Sequence, residues 1–388
     1  MGLNSTPASE RVHIGFFGIR NAGKSSLVNK ITNQDMSVVS DVKGTTTDAV
    51  KKSMELLPVG AVVIIDTPGF DDEGALGEKR VESARKILNS CNVAVLVTEN
   101  EKLNADELEL LKLIKNRDIP YLIVHNKADL TGSKDDKLYV SSVTGEGIEK
   151  LKEEIARVTG TLGKEIHFIS DFINKGDTVI LVCPIDESAP KGRMILPQQL
   201  AIRDIIDKEG IATVIQPEQL TSTLENLKRS PALVVTDSQV FGKVSALVPE
   251  SIRLTSFSVL MARYKGFLNT AVKGAEALDT LKDGDTVLIS EGCTHHRQCN
   301  DIGTVKLPSW LKAYTGKKLN FEFTSGHGFP NSLFGYALVV HCGGCMLNDV
   351  EIQSRYKTAE TQKIPFTNYG TVIAKMNGIL ERSIEIIK

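Results

Sequence analysis

Val12-His13-Ile14-Gly15-Phe16-Phe17-Gly18-Ile19-Arg20-Asn21-Ala22-Gly23-Lys24-Ser25-Ser26 is the stretch on which the fold turns. Its first six residues have the β-rich, apolar composition of a buried strand, and Ser25–Ile31 has the apolar spacing of a helix. Between them Gly18 to Ser25 fits the pattern G-x-x-x-x-G-K-[ST] in the context that gives the pattern meaning, after a strand and before a helix. Glycines there let backbone N–H groups close around phosphates at a helix N-terminus. Lys24 then reaches the β- and γ-phosphates, and the Ser25 hydroxyl is available to Mg²⁺.

Working outward, the apolar runs Ala61–Ile65, Val93–Val97 and Tyr121–Val124 read as further buried strands, and Lys79–Leu88 and Ala105–Lys115 as helices between them. This alternation predicts a parallel sheet wrapped by helices. A second alternating block has strand candidates Thr178–Val182, Ile211–Ile215, Leu233–Val235 and Ile252–Phe257, with Pro197 opening a helix. A third has Thr286–Ile289, Phe321–Phe323 and Ala337–Val340. The expected fold class is α/β: a P-loop domain followed by two further α/β domains with largely parallel sheets. The expected organisation is a flexible N-terminus over 1–10, a nucleotide domain over 11–165, a second domain over 166–265 and a third over 266–388. No low-complexity tract and no short repeat stands out.

Lys plus Arg number 46 against 48 Asp plus Glu, a net charge of −2. That lacks the basic excess of a protein built to grip nucleic acid. No apolar run approaches the roughly 18 residues of a membrane helix, and Met1–Glu10 lacks the charged-then-apolar order of a signal peptide. The expectation is a soluble, cytoplasmic protein with no membrane and no nucleic-acid partner.

Three further motifs follow the phosphate loop in order. Gly44-Thr45-Thr46-Thr47 lies in a polar loop that could order on the γ-phosphate, with Thr46 reaching Mg²⁺. Asp66-Thr67-Pro68-Gly69 ends a strand, so that Asp66 can hold the Mg²⁺ water shell and Gly69 can offer its N–H to the γ-phosphate. Asn126-Lys127-Ala128-Asp129 ends another strand. A carboxylate at Asp129 can accept both N–H groups on the guanine edge, which adenine cannot match without leaving buried groups unpaired. Ser141-Ser142-Val143 suits a backbone contact to the guanine oxygen. With Asn21, Ala22, Gly23 and Ser26 lining the phosphate loop, these motifs together specify GTP and GDP.

On these residues the segment resembles a Ras-like GTPase domain of the TrmE–Era–EngA branch. Ras-type enzymes carry a water-orienting Gln after the Asp-x-x-Gly motif; here the position is Phe70, which implies slow intrinsic hydrolysis or help from another group. Asn21 stands where potassium-activated members of the branch carry an Asn that binds K⁺. Asp71, Asp72, Glu73 and Glu78 read as a solvated switch loop, and the catalytic group itself is not identified by the sequence.

Six cysteines are too few for a disulfide scaffold. Cys91 and Cys183 sit in apolar runs, while Cys293, Cys299, Cys342 and Cys345 crowd the last segment. The pattern is Cys293-Thr294-His295, a long gap, then His341-Cys342-Gly343-Gly344-Cys345. Each half follows a strand, so the two loops can meet at one edge of a parallel sheet. Soft thiolates with imidazole suit structural Zn²⁺; three thiolates also suit three corners of an iron–sulfur cubane. One Cys-x-x-Cys, where structural zinc usually has two short-spaced pairs, tilts the balance towards iron–sulfur.

With both motif sets in one polypeptide, the chain from Val12 onward resembles the FeFe-hydrogenase maturation GTPase family, HydF. The resemblance implies a middle dimerisation domain that makes a homodimer. It also implies a 4Fe-4S cluster on Cys293, Cys342 and Cys345. The function it implies is that of a scaffold or carrier, which receives a transient diiron precursor from two radical-SAM maturases and delivers it to apo FeFe-hydrogenase. It leaves the fourth cluster position to His295, His341, Cys299, water, or a carboxylate such as Asp301 or Asp349. The competing reading is an RNA- or ribosome-associated GTPase of the TrmE/Era type with a zinc-stabilised C-terminal module.

Overall fold

The computed structural model describes residues 6–33, 49–70, 75–132, 137–160, 167–185, 194–293 and 301–387, with the backbone alone over 75–81. The chain divides into two compact units, Met1–Lys164 and Glu165–Lys388.

The first unit holds β1 (Val12–Phe17), β2 (Val50–Leu56), β3 (Gly60–Asp66), β4 (Val93–Thr98), β5 (Tyr121–His125) and β6 (Leu138–Tyr139), in the sheet order β2-β3-β1-β4-β5-β6. Every pairing is parallel except β2 with β3. The inner strands are apolar on both faces because helices cover both sides; Val93–Thr98 is buried throughout. β2 differs. Its residues Val50-Lys51-Lys52-Ser53-Met54-Glu55 alternate in exposure, as befits an antiparallel edge blunted by lysines. The helix Ala105–Lys115 starts where Asn104 and Glu107 cap each other's backbone. Ala8–Glu10, expected within the flexible N-terminus, form a turn that His13 Nε2 holds through Ala8 O at 2.8 Å.

The second unit carries two four-stranded sheets. One contains β7 (Thr178–Val182), β8 (Ile211–Ile215), β9 (Leu233–Thr236) and β10 (Leu254–Ser256), in the order β10-β9-β7-β8. The other contains β11 (Thr286–Glu291), β12 (Asn320–Ser325), β13 (Tyr336–His341) and β14 (Phe366–Asn368), in the order β12-β11-β13-β14. All are parallel. Both sheets share one core, in which Ile180, Val234 and Val244 are continuous with Val287, Leu338 and Val372. The strand expected over Ile252–Phe257 stops at Ser256, because the Ser256 hydroxyl accepts from Val259 N–H and Phe257 begins a helix. Among the described residues no helix is long and apolar enough to cross a membrane.

Candidate functional site

The phosphate loop joins β1 to the helix Lys24–Thr32. Gly18 has φ +151°, and an added Cβ would stand 2.2 Å from Val97 O, so no side chain fits. Gly23 (φ +82°) is equally confined, with Asn126 Nδ2 2.2 Å from the Cβ position. Asn21 takes the left-handed conformation, φ 62°, which Asn tolerates, and its side chain is exposed. Lys24 is buried and donates to Gly18 O (3.1 Å) and Ile19 O (2.7 Å), carbonyls of the loop that a phosphate would displace as its partners. Ala22 is buried, and Ser26 is half-buried in the first helical turn.

Ser25 Oγ donates to Asp66 Oδ2 at 2.6 Å. Asp66 is fully buried, and its Oδ1 has no hydrogen-bond partner among the described residues. A hydroxyl and an orphaned carboxylate oxygen facing the end of the phosphate loop are hard donors that fit Mg²⁺ or its water shell. The Cβ position of Gly69 lies 2.9 Å from Arg20 N, which fits the Asp66–Gly69 segment against the loop. Phe70 is 7% exposed and packs with Phe17, Ile65 and Leu88, so its position orients no water. Thr45, Thr46, Asp71, Asp72 and Glu73 lie outside the described residues, as does the side chain of Glu78.

At the other end of the site Asn126, 1% exposed, donates to Ala22 O at 3.0 Å and accepts from Ser142 N–H at 3.3 Å. It thereby ties the phosphate loop to the Ser141–Val143 turn. Lys127 has φ 63° and pairs with Glu99. Asp129 is exposed and accepts from the buried Ser141 hydroxyl, which in turn accepts from Val143 N–H at 3.2 Å. His125 is packed, its Nδ1 2.8 Å from Asn100 O and its ring stacked on Tyr139.

The cysteine loops do meet. β11 and β13 are parallel neighbours, with Ser290 opposite His341, so Gly292-Cys293 and Cys342–Cys345 leave the sheet at one edge. Gly292 N–H and Gly344 N–H both point at Cys342 Sγ, at 3.0 and 3.4 Å. The Cβ position of Gly292 is 3.6 Å from Gly344 Cα, so the two turns touch. Cys293, Cys342 and Cys345 are half-buried and free of disulfides. Burial pushes the Cys342 thiol up, and the two backbone N–H groups oppose this by favouring thiolate. Cys342 is thus a thiol whose anion already has two N–H partners, as a soft metal ligand would use. Among the described residues, no three His, Cys, Asp or Glu side chains are grouped to hold a metal ion. His295 and Cys299 lie outside the described residues.

His341 is fully buried with both ring nitrogens engaged: Nδ1 is 2.7 Å from Cys342 O, and Nε2 is 2.9 Å from an Arg355 N–H. The partners assign a neutral ring, donating from Nδ1 and accepting at Nε2. Burial and the Arg355 charge push its pKa down to about 3. Arg355 also donates to Glu351, which accepts from His327. Sequence reading missed this network. Its one signal was the Glu351/Arg355 spacing on a helix beginning just after the cysteines. Asp301 caps a helix start by accepting from Thr304 N–H at 2.8 Å, and Asp349 is paired with Lys265 at 2.8 Å.

The strand order and the phosphate, Mg²⁺ and guanine motifs define the first unit as a Ras-like P-loop GTPase domain. Residues 13–127 match the family described as 50S ribosome-binding GTPase. Residues 168–266 match the hydrogen maturase F dimerization domain and 269–386 the hydrogen maturase F tetramerization domain. The chain belongs to the hydrogen maturase F family. Among curated proteins it is similar to tRNA modification GTPases MnmE, 31% identical over 169 residues in Aliarcobacter butzleri and 34% over 160 residues in Legionella pneumophila strain Paris. The matches cover 42% and 39% of this chain and only 38% and 36% of those proteins. Among solved structures it is similar to an Aquifex aeolicus Era variant bound to GDP·AlF4⁻ at 17% identity and a TM-score of 0.36, covering 55% of this chain and 97% of that one.

Proposed function

We propose that this chain is a GTP-gated carrier. On this reading it binds and hydrolyses GTP with Mg²⁺ in its first unit, holds a 4Fe-4S cluster at Cys293, Cys342 and Cys345, and accepts a diiron precursor from two radical-SAM maturases for delivery to apo FeFe-hydrogenase. The observation that carries the cluster reading is the meeting of the Gly292-Cys293 and Cys342–Cys345 turns at one sheet edge, with two backbone N–H groups on Cys342 Sγ. The cluster supplies an iron to which cargo can attach. The chain's own part is to hold the thiolates, and His341 holds the Cys342 carbonyl.

In the nucleotide site, Lys24 exchanges its loop carbonyls for phosphate oxygens, Ser25 and Asp66 hold Mg²⁺, and Asp129 reads guanine. With Phe70 packed inward, hydrolysis is slow; K⁺ held by Asn21 supplies the charge that an arginine finger brings elsewhere. Nucleotide state acts on the switch loops Lys43–Asp48 and Gly69–Gly77, and so on partner docking. Self-association uses the 166–265 segment, whose β8 is a sheet edge with Ile211 and Val214 exposed.

The test is metal analysis of anaerobically purified protein. Brown protein with iron and sulfide supports the carrier. Colourless protein with about one zinc replaces it with the zinc-stabilised GTPase reading.

A further inference from the structure

The two sheets of the second unit are copies of one another. Numbered within each sheet, both have the order 2-1-3-4. The sequences repeat in the same places. Gly176-Asp177-Thr178-Val179 matches Gly284-Asp285-Thr286-Val287. Leu196-Pro197 with Leu200 matches Leu307-Pro308 with Leu311, and Ala232-Leu233-Val234-Val235 matches Ala337-Leu338-Val339-Val340. Ile252, Thr255, Ala262 and Gly266 match Ile364, Thr367, Ala374 and Gly378.

Hydrogen bonds repeat as well. Asp177 accepts from Asn174 N–H and Asp285 from Lys282 N–H, each at 2.8 Å. Thr255 Oγ1 donates to Ser383 O at 2.7 Å; reciprocally, its equivalent Thr367 Oγ1 donates at 2.8 Å to the carbonyl of Ala271, the residue equivalent to Ser383 and part of the helix that follows the first copy's sheet. The equivalent residues Ser258 and Gly370 face each other, with Ser258 Cβ 2.5 Å from the Cβ position of Gly370. The copies are therefore related by a local two-fold axis passing between the helices Phe257–Tyr264 and Tyr369–Met376.

This symmetry supplies an internal control for the cysteine site. In the second copy the cysteine turn is seated on the first copy's helix. The Cβ position of Gly343 lies 3.5 Å from Ser258 Oγ and 3.8 Å from Met261 Cγ, and Cys345 packs against the cluster containing Leu260 and Met261. Lys265, its side chain 0% exposed, donates to Asp349 at 2.8 Å, four residues beyond Cys345. Across the axis the equivalent of Lys265 is Asn377, whose amide turns back to its own helix at Ile373 O. At that junction Gly242 sits against Asn377, its Cβ position 2.5 Å from Asn377 Oδ1, beside a cavity of about 520 Å³ that Gln239 and Trp310 also line. Among the described residues the buried Lys265 ties down the turn of the copy that carries the Cys-Gly-Gly-Cys sequence through the half-exposed Asp349, and its equivalent Asn377 makes no such ion pair.

We propose that Lys265, contributed by the first copy, is a positioning residue for the cluster: its ion pair with Asp349 fixes the Cys342–Cys345 turn against Ser258 and Met261. Asn348 caps the following helix by accepting from Glu351 N–H, and the buried Lys265 ammonium on Asp349 holds that first turn, and with it Cys345, against the first copy. This rests on the cluster reading above, and the experiment separates the two.

In full-length, iron-free protein, the alkylation rates of Cys342 and Cys345 by iodoacetamide are mapped by mass spectrometry. Lys265→Met and Asp349→Asn should each raise the Cys345 rate about tenfold, Lys265→Arg should keep it near wild type, and Asn377→Leu should change nothing. After anaerobic reconstitution, the same two variants should shift the EPR spectrum of the reduced cluster and speed iron loss to a chelator about tenfold. Asp349 is half-exposed, so Asp349→Asn keeps the test open where Lys265→Met fails to fold. Wild-type alkylation rates in both variants overturn the positioning role. Wild-type protein that takes up no iron overturns the cluster reading, while faster Cys345 alkylation in the variants still supports the pinning of the turn.

Discussion

Replacing Asn126 with alanine tests whether one side chain joins the two ends of the nucleotide site. Its amide donates to Ala22 O at 3.0 Å and its carbonyl accepts from Ser142 N–H at 3.3 Å, and the residue is 1% exposed. Each bond contributes about 0.5–1 kcal/mol net, and the groups left without partners cost roughly 1–2 kcal/mol more in total. The sum is about 2–4 kcal/mol. In nucleotide-free protein the two loops can relax towards water, so most of the loss should appear when GDP forces them together. At 1.4 kcal/mol per decade that is a rise in Kd of about 30- to 700-fold. Titration with a fluorescent GDP analogue reads it, with a thermal melt confirming that the first unit is folded. A Kd within about threefold of wild type in folded protein would refute the strut, and with it the idea that phosphate and base recognition are coupled through this residue.

Other outcomes follow from the same geometry. Asp129→Asn should move preference from GTP towards XTP by at least about tenfold in competition binding, because the amide can donate where the carboxylate accepted. Replacing K⁺ by Na⁺ at equal ionic strength should slow GTP turnover about tenfold, and Asn21→Ala should abolish the difference; equal rates in both salts would remove K⁺ from the mechanism. Val214→Lys on the β8 edge should shift the sedimentation profile towards monomer at micromolar concentration. Gly274→Ala should cost about 2–3 kcal/mol and lower the melting temperature of the second unit, since the new Cβ would stand 2.0 Å from Phe366 O, backbone that cannot step aside.

Much of the fold was legible because parallel strands buried on both faces are written as unbroken apolar runs: Val12–Phe17 and Thr178–Val182 match the structure residue for residue. β2 was not legible, because an edge strand alternates and carries Lys51, Lys52 and Glu55. β14 was not either, being three residues behind Pro365. The nucleotide motifs were readable because each packs its chemistry into a few contiguous residues. The roles of Asn126 and Lys265 were not, since each acts on partners far away in sequence. The duplication escaped because insertions of different length separate its matched segments: equivalent positions are displaced by 108 residues at Thr178 and by 112 at Ile252.

The crossed tails bear on synthesis. Thr255 finds its acceptor only at Ser383, 128 residues later. At roughly 5–20 residues per second, a ribosome takes about 6–26 s to supply it. Through that interval β10 is made but lacks the segment that closes over it, and the first copy presents to solvent an apolar face shaped for its own twin. On a polysome the nearest such twin belongs to a neighbouring nascent chain. Exchange between chains is thus the misassembly this geometry favours, and faster emergence of the residues up to Ser383 should reduce it.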